Sequence, residues 1–455
     1  MKSLSRRNLL KSMSMVTGGV LASPLMGLDD WGRQLHMPEI DRHAPLSKPV
    51  TAITLGAGNR GNVYGNYAAK YGDRLDIVGV AEPIKVRNDK YCELHNIDEK
   101  NSFVTWEHVF EVPKFADAII ITTPDDLHYG PCMKALAMGY DVLLEKPIAP
   151  TEEECRDIRA LAQKTGRIVA VCHVLRYAPY FINLRKLIQS GSIGELMSIA
   201  HFEPIEHVHM AHSFVRGNWH NSKATTPIIL AKSCHDMDIL RWLVDKPIEK
   251  ISAFGDLSWF HEGRKPEGAT ARCMDGCAVE STCPYSAMKI YHRDRQRTYV
   301  FDLPDDKSKH EEAILEYLRT TNYGRCVYQM ENDQPDHYVA NMQFAGGITA
   351  AFSMEAFTSY HGRRTRIMGS HGDIVGDMNK YIHTDFLTGE KTEWSMTSDG
   401  HGGGDWNLAA DWVQAVAKQD KSLLSSSIGA SIESHLMAFG AERSRLEGKI
   451  ENINI

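Results

Sequence analysis

From Pro49 onward, short apolar runs alternate with amphipathic stretches, a pattern that predicts strands feeding helices. Val50-Thr51-Ala52-Ile53-Thr54-Leu55 is apolar and β-branched enough for a buried strand, and a helical stretch follows Gly61 as far as Tyr71. Leu75–Ala81 predicts a second strand, ending at Glu82. A third strand is expected over 118–122, and the helix behind it stops at Gly139, a residue suited to a helix end. Asp141–Leu144 predicts another strand. Thr151-Glu152-Glu153-Glu154 then opens a capped helix that places Ile158, Leu161 and Ala162 on one face and ends at Gly166. A further strand begins over 168–171. Repeated strand–helix units predict an α/β architecture: a doubly wound parallel sheet, whose ligands lie beyond the carboxyl ends of its strands. Later, 343–352 reads as a hairpin with a glycine-containing turn, and Trp406, Leu408, Trp412, Val413 and Val416 mark an amphipathic helix.

The turn after the first strand is Gly56-Ala57-Gly58-Asn59-Arg60-Gly61, and Glu82 follows Gly61 by 21 residues. Gly56 permits the tight turn, Gly58 lets backbone approach a pyrophosphate, and Gly61 allows close helix–strand packing. The helix start offers free N–H groups and a positive dipole end, so Asn59 and Arg60 join the expected cofactor site. Glu82 suits ribose hydroxyls and repels a 2′-phosphate, which favours NAD over NADP. Thr123, Pro124, His128, Glu145, Lys146 and His173 fall at later strand ends and complete the expected cofactor-binding set.

Composition narrows the class. The 455 residues carry 51 Lys+Arg against 58 Asp+Glu, a net charge of −7, and 43% are hydrophobic. That is chain enough for two or three domains of a soluble enzyme. A mild acidic excess without a long basic run argues against a nucleic-acid surface, and no run of about 18 apolar residues offers a membrane span. Ser5-Arg6-Arg7-Asn8-Leu9-Leu10-Lys11, ahead of a weakly apolar stretch, has a signal-peptide layout with paired arginines. We expect residues 1–30 to be a twin-arginine signal read by that export machinery, 31–48 a linker, and the mature protein periplasmic. Export in the folded state would carry a nucleotide cofactor out with the enzyme.

Further motifs extend the picture: Thr123-Pro124-Asp125-Asp126-Leu127-His128, Glu145-Lys146-Pro147, Gly191-Ser192-Ile193-Gly194-Glu195, and Cys234-His235-Asp236-Met237-Asp238 before Leu240-Arg241-Trp242-Leu243. Together with the glycine turn, the sequence resembles the glucose–fructose oxidoreductase/inositol dehydrogenase/rhizopine-catabolism (Gfo/Idh/MocA) family from residue 49 to the C-terminus. The resemblance implies an NAD-binding domain over 49–172. It implies a C-terminal α+β domain over 173–455, with a large, mostly antiparallel open-faced sheet and homo-oligomers. A cysteine-bearing insertion covers about 255–325. By the same resemblance, Lys146 hydrogen-bonds the reacting oxygen and His235 is the acid/base, while Arg176, Tyr177 and Asp238 lie on the substrate side. Many family members place an aspartate four residues before that histidine; here Ala231 stands there, followed by Lys232, a second candidate charge for an oxyanion. His401-Gly402-Gly403-Gly404-Asp405 is similar to a segment of the family's NAD-dependent glycosidases (glycoside hydrolase family 109). His401 then joins the substrate side, and Asp405 otherwise reads as a helix N-cap.

The implied activity is NAD-dependent oxidation of a sugar or glycoside hydroxyl, with C3 as a candidate position. A redox-neutral glycosidase, cycling through oxidation, elimination and reduction, is the alternative, and a non-catalytic binding protein is a third reading. Two clusters invite metals. Glu206-His207-Val208-His209-Met210-Ala211-His212, with His220, lacks recognised ligand spacing and reads as a polar substrate-facing loop. Cys273, Cys277, Cys283 and Cys326 could hold a structural zinc or form two disulfides, stapling a long loop.

Overall fold

Strand β1 (Val50–Leu55) is covered on both faces, and Ala52, Ile53 and Leu55 are wholly buried, as an unbroken apolar run requires. The computed structural model describes residues 42–396 and 401–454. The export signal expected over 1–30, and the expected linker before residue 42, lie outside the described residues. Around β1 lie β2 (Leu75–Ala81), β3 (Ser102–Phe103), β4 (Ala118–Ile121), β5 (Asp141–Leu144) and β6 (Val169–Val171), all parallel, in the order β3-β2-β1-β4-β5-β6. The order reverses between β1 and β4, which opens a crevice at their carboxyl ends. Helices α1 (Asn59–Lys70), α2 (Lys85–His95), α3 (Tyr129–Ala137) and α4 (Glu152–Thr165) follow β1, β2, β4 and β5. The capping box at α4 forms: Thr151 Oγ1 accepts from Glu154 N at 3.2 Å, and the Glu154 carboxylate accepts from Thr151 N at 3.2 Å.

After α5 (Pro179–Gln189) the chain enters a second sheet. Its strands are β7 (Leu196–Pro204), β8 (Ile248–Asp256), β9 (His337–Phe344), β10 (Thr349–Glu355), β11 (Arg364–Gly369), β12 (Gly372–Gly376), β13 (Lys380–Asp385), β14 (Lys391–Ser395) and β15 (Glu451–Asn452). They order as β14-β13-β12-β11-β7-β10-β9-β8-β15, and only the β7/β10 pair is parallel. The expected hairpin is β9–β10, with Gly346 and Gly347 at φ +83° and +80°, values that side chains resist. Strand β9 alternates strictly. Tyr338, Ala340, Met342 and Phe344 are buried while Val339 faces out, so one face of the sheet stays open.

Helix α6 (Cys234–Val244) packs against β7 and α5, and α7 (His310–Thr320) closes a small core in which Val208 meets Tyr291, Phe301 and Leu318 of the cysteine-bearing segment. The chain then returns to its first half. Leu408, Trp412 and Val413 of α8 (Gly404–Lys418) share a core with Ala52, Tyr64 and Ile120, so the nucleotide-binding half includes chain far beyond residue 172. From α9 (Ile428–Glu447), His435 Nε2 accepts from Ile148 N at 2.9 Å.

Candidate active site

The glycine turn is built as its sequence demands. Gly56 sits at φ +94°, and a Cβ there would lie 2.8 Å from Thr122 O; a Cβ on Gly61 would lie 2.1 Å from Gly56 O. Gly58 differs: a Cβ there meets nothing nearer than Arg87 Nη1 at 4.0 Å. Its smallness therefore serves the space in front of α1, where an approaching pyrophosphate would lie. Asn59 opens α1 with no acidic residue in the first turn. Glu82 is 5% exposed and shapes the turn, its two oxygens accepting from Ala57 N at 2.7 Å and Ile84 N at 2.9 Å. Pro124 begins a short turn after β4, Thr123 Oγ1 donates to Leu127 O at 2.9 Å, and the His128 ring spans Pro147 O (2.6 Å) and Thr123 O (3.0 Å), tying two strand ends together. These residues fit NAD. Gly58→Val should cut NAD affinity at least about tenfold, roughly 1.4 kcal/mol, by calorimetric titration, and leave thermal unfolding unchanged because its backbone is extended.

At the end of β5, Lys146 Nζ donates to Ala231 O at 2.7 Å and lies 5.8 Å over the Trp219 ring. Glu145 is not free to meet a ligand: it accepts from Arg60 Nε at 2.5 Å and Tyr64 Oη at 3.0 Å. Burial acts to raise the Glu145 carboxyl, but Arg60 and Lys146 hold it below its ordinary range. Arg60 continues to Asp405 at 2.6 Å, and the other Asp405 oxygen faces His401 Nδ1 at 2.9 Å. Asp405 is therefore not the N-cap. Gly403 holds that place at φ +79°, which frees the Asp405 carboxylate to turn toward Arg60 and His401. Against burial, His401 and Arg60 hold Asp405 far below the usual carboxylate range.

A row of histidines leads inward from there. The rings of His401 and His235 are 5.6 Å apart, His235 and His173 6.1 Å, and His173 and His435 5.3 Å. His235 starts α6, is 4% exposed, and its Nδ1 has no partner. Burial first, then Lys146, His401 and Arg363, hold it well below the usual imidazole range, so it is neutral and able to accept a proton. Behind it, Arg176 grips Asp238 through two bonds of 2.7 and 2.6 Å, and Tyr177 Oη meets Ser426 Oγ at 3.0 Å. Arg176, Tyr177 and Asp238 are 3% exposed or less, which places them as supports behind His173 and not around open space.

Beneath the site lies a charge network without a sequence motif. Arg363 bridges Glu203 (2.9 Å) and Asp236 (2.6 Å), Asp236 also accepts from His201 Nε2 at 2.9 Å, and Lys232 Nζ lies 3.4 Å from Glu203. Lys232 is thus an inward charge; burial lowers its pKa, opposed by Glu203. The stretch expected as a polar loop is helical instead: His207–His209 is an α-turn running into a π-helix over Met210–Arg216. His212 is spent on Tyr291 Oη at 3.0 Å and His220 on Gly217 O at 2.8 Å. His209 alone of these lies near Lys232, which adds to burial in holding its pKa well down. All nine cysteines are free thiols. Among the described residues no three His, Cys, Asp or Glu side chains are placed to share one metal ion.

The buried rings carry a pH signature. Burial holds His173 well below the usual range and pushes His435 down to about 3. On unfolding each returns to about 6.5, so below that value the unfolded chain binds more protons. Stability is complete above pH about 6.5 and falls on acidification, by about 1.4 kcal/mol per pH unit for each of His173, His235 and His435. Urea unfolding between pH about 7 and about 5 measures this, and a flat profile would exclude buried neutral rings.

A glycine turn on a parallel sheet, facing a neutral histidine from a second domain, defines an NAD-binding oxidoreductase. Residues 51–173 match the oxidoreductase family described as an NAD-binding Rossmann fold, and 185–426 match its C-terminal alpha/beta domain; the chain belongs to the Gfo/Idh/MocA family. The oxidoreductase YteT of Bacillus subtilis is 27% identical over 367 residues, covering 75% of this chain and 83% of that one. The NAD(+) scyllo-inositol 2-dehydrogenase of Bacillus subtilis is 28% identical over 210 residues, 46% of this chain and 58% of that protein. Levoglucosan dehydrogenase, solved with NADH and levoglucosan, superposes with a TM-score of 0.67 at 15% identity, covering 90% of this chain and 100% of that one. An inositol dehydrogenase homologue from Azotobacter vinelandii, with NADH and myo-inositol, gives 0.65 at 15%, covering 90% and 99%. At such identities these two structures establish the fold.

Proposed function

We propose that this enzyme oxidises a secondary hydroxyl of a sugar or glycoside, with His235 taking the hydroxyl proton. The observation that carries it is the neutral His235 ring set beside Lys146 and His401 at the strand ends that face the glycine turn. NAD bound on that turn supplies the hydride acceptor. The Lys146 ammonium, steadied by Ala231 O, orients and polarises the reacting oxygen. His235 accepts the proton. Its depressed basicity favours passing that proton outward to His401, whose Nδ1 meets the Asp405 carboxylate at the rim of the site. Asp405 thereby supplies the carboxylate that Ala231 lacks. The names of the inositol and levoglucosan dehydrogenases support a cyclic polyhydroxylated substrate.

A second base also supports a second reading. Oxidation at C3 acidifies the C2 proton, and the His401–Asp405 pair could remove it to eliminate a glycosidic group. Incubating the enzyme and NAD with inositols, free sugars and glycosides separates the two: ketone with equivalent NADH marks the dehydrogenase, and released aglycone without net NADH the glycosidase. Neither product from any compound would defeat both readings. Self-association through the open sheet face fits its exposed Phe254, Val339 and Val375. Twin-arginine export rests on the arginine pair in residues 5–11.

A further inference from the structure

The cysteine-bearing segment stands apart from the proton chemistry, yet it reaches the nucleotide-binding half. Arg87 lies in the first turn of α2, five residues after Glu82, and its backbone N–H donates to Ile84 O at 2.9 Å. Nη1 of its guanidinium is the atom nearest to where a Cβ on Gly58 would stand, at 4.0 Å. Gly58 faces the pyrophosphate position and the strand end at Glu82 faces the adenosine ribose. Arg87 therefore borders the space that Gly58 leaves open, on the adenosine side of the dinucleotide.

The other edge of the same guanidinium is gripped from the cysteine-bearing segment. Arg87 Nε and Nη2 donate to the two Asp302 oxygens at 2.8 and 3.0 Å, a paired bond between residues 215 apart. Asp302 is itself fixed. Its N–H donates to Tyr317 Oη at 2.9 Å, and Phe301 before it stacks on the Tyr317 ring, with centroids 4.7 Å apart. Phe301 is buried in the segment's small core, against which Tyr317 of α7 packs. The fork sets the plane of the guanidinium, so Nη1 has little freedom left to lose when it donates to a phosphate oxygen. A second tie, Lys90 Nζ to Asp305 at 2.8 Å, joins side chains that are 51% and 89% exposed, against 31% and 28% for Arg87 and Asp302. Solvent screens that outer pair, so the inner one carries the grip.

We propose that the cysteine-bearing segment is a clasp on the dinucleotide site: Asp302 holds Arg87 so that Nη1 donates to a phosphate oxygen of bound NAD, and the pair slows its release. The inference rests on NAD binding alone and not on the sugar reading. The test loads the full chain with NADH and follows its fluorescence in stopped flow as excess NAD displaces it. Asp302→Ala should release NADH at least about tenfold faster than the parent, and Asp302→Asn should shift release the same way by less. Arg87→Ala should release it at least as fast as Asp302→Ala. Adding Asp302→Ala to Arg87→Ala should change nothing further, because Asp302 acts through Arg87, whereas a general loosening of the segment would add. Lys90→Ala should stay within about twofold of the parent. Release from Asp302→Ala at the parent rate, additive effects in the double variant, or an equal acceleration in Lys90→Ala would each overturn the proposal.

Discussion

Replacing His235 with asparagine should lower kcat by about 10²–10⁴-fold while leaving NAD affinity within about twofold of the parent. Asparagine keeps a polar group of similar reach but cannot take a proton. His235 is the second ring of the row counted inward from His401, beside Lys146, and its neutrality at working pH follows from burial among cationic neighbours. A variant with unchanged kcat would transfer the proton-accepting role elsewhere, with His401 the next ring outward. Asp405→Asn should separate the two: it leaves His235 in place but removes the carboxylate that His401 Nδ1 meets, so kcat should fall by about tenfold.

Arg363→Met should destabilise the fold by about 3–5 kcal/mol, measured by chemical unfolding. Arg363 is 5% exposed and neutralises two buried carboxylates, Glu203 and Asp236, which are 3% and 0% exposed. Burial opposes the charge on Asp236, yet Arg363 and His201 keep its carboxyl well below its ordinary range. Removing the cation strands negative charge inside the protein. Adding Asp236→Asn to the variant should restore part of the loss, and a cost below about 1 kcal/mol would show that water reaches the network.

The nucleotide-binding half was legible because its signals are local. The 3.6 and 2.0 periods, the glycine turn, the Thr151 capping box and the acid after β2 all lie within about 30 residues of the partners they imply. The hairpin β9–β10 was legible for the same reason. Nothing in the pattern announced that β7 would lie between β10 and β11, since that register depends on strands some 150 residues away. The site divides likewise. Lys146 and His235 come with motifs, whereas the Arg60–Asp405 bond joins residues 345 apart, and Arg363 sits in a stretch whose only cue is a run of arginines. Asp405 was misplaced because aspartate before an apolar periodic stretch is the usual cap signal. Here a glycine at positive φ does that work.

The central claim is that a carbon-bound hydrogen of a sugar passes to nicotinamide while the hydroxyl proton leaves through His235. The most direct measurement incubates the enzyme with NAD and a panel of carbon-deuterated inositols, sugars and glycosides, then weighs the recovered dinucleotide by mass spectrometry. A gain of a single deuterium in the NADH, from at least one compound and strongly reduced in His235→Asn, is the predicted result. Dinucleotide that binds yet gains no deuterium from any member of the panel would contradict it.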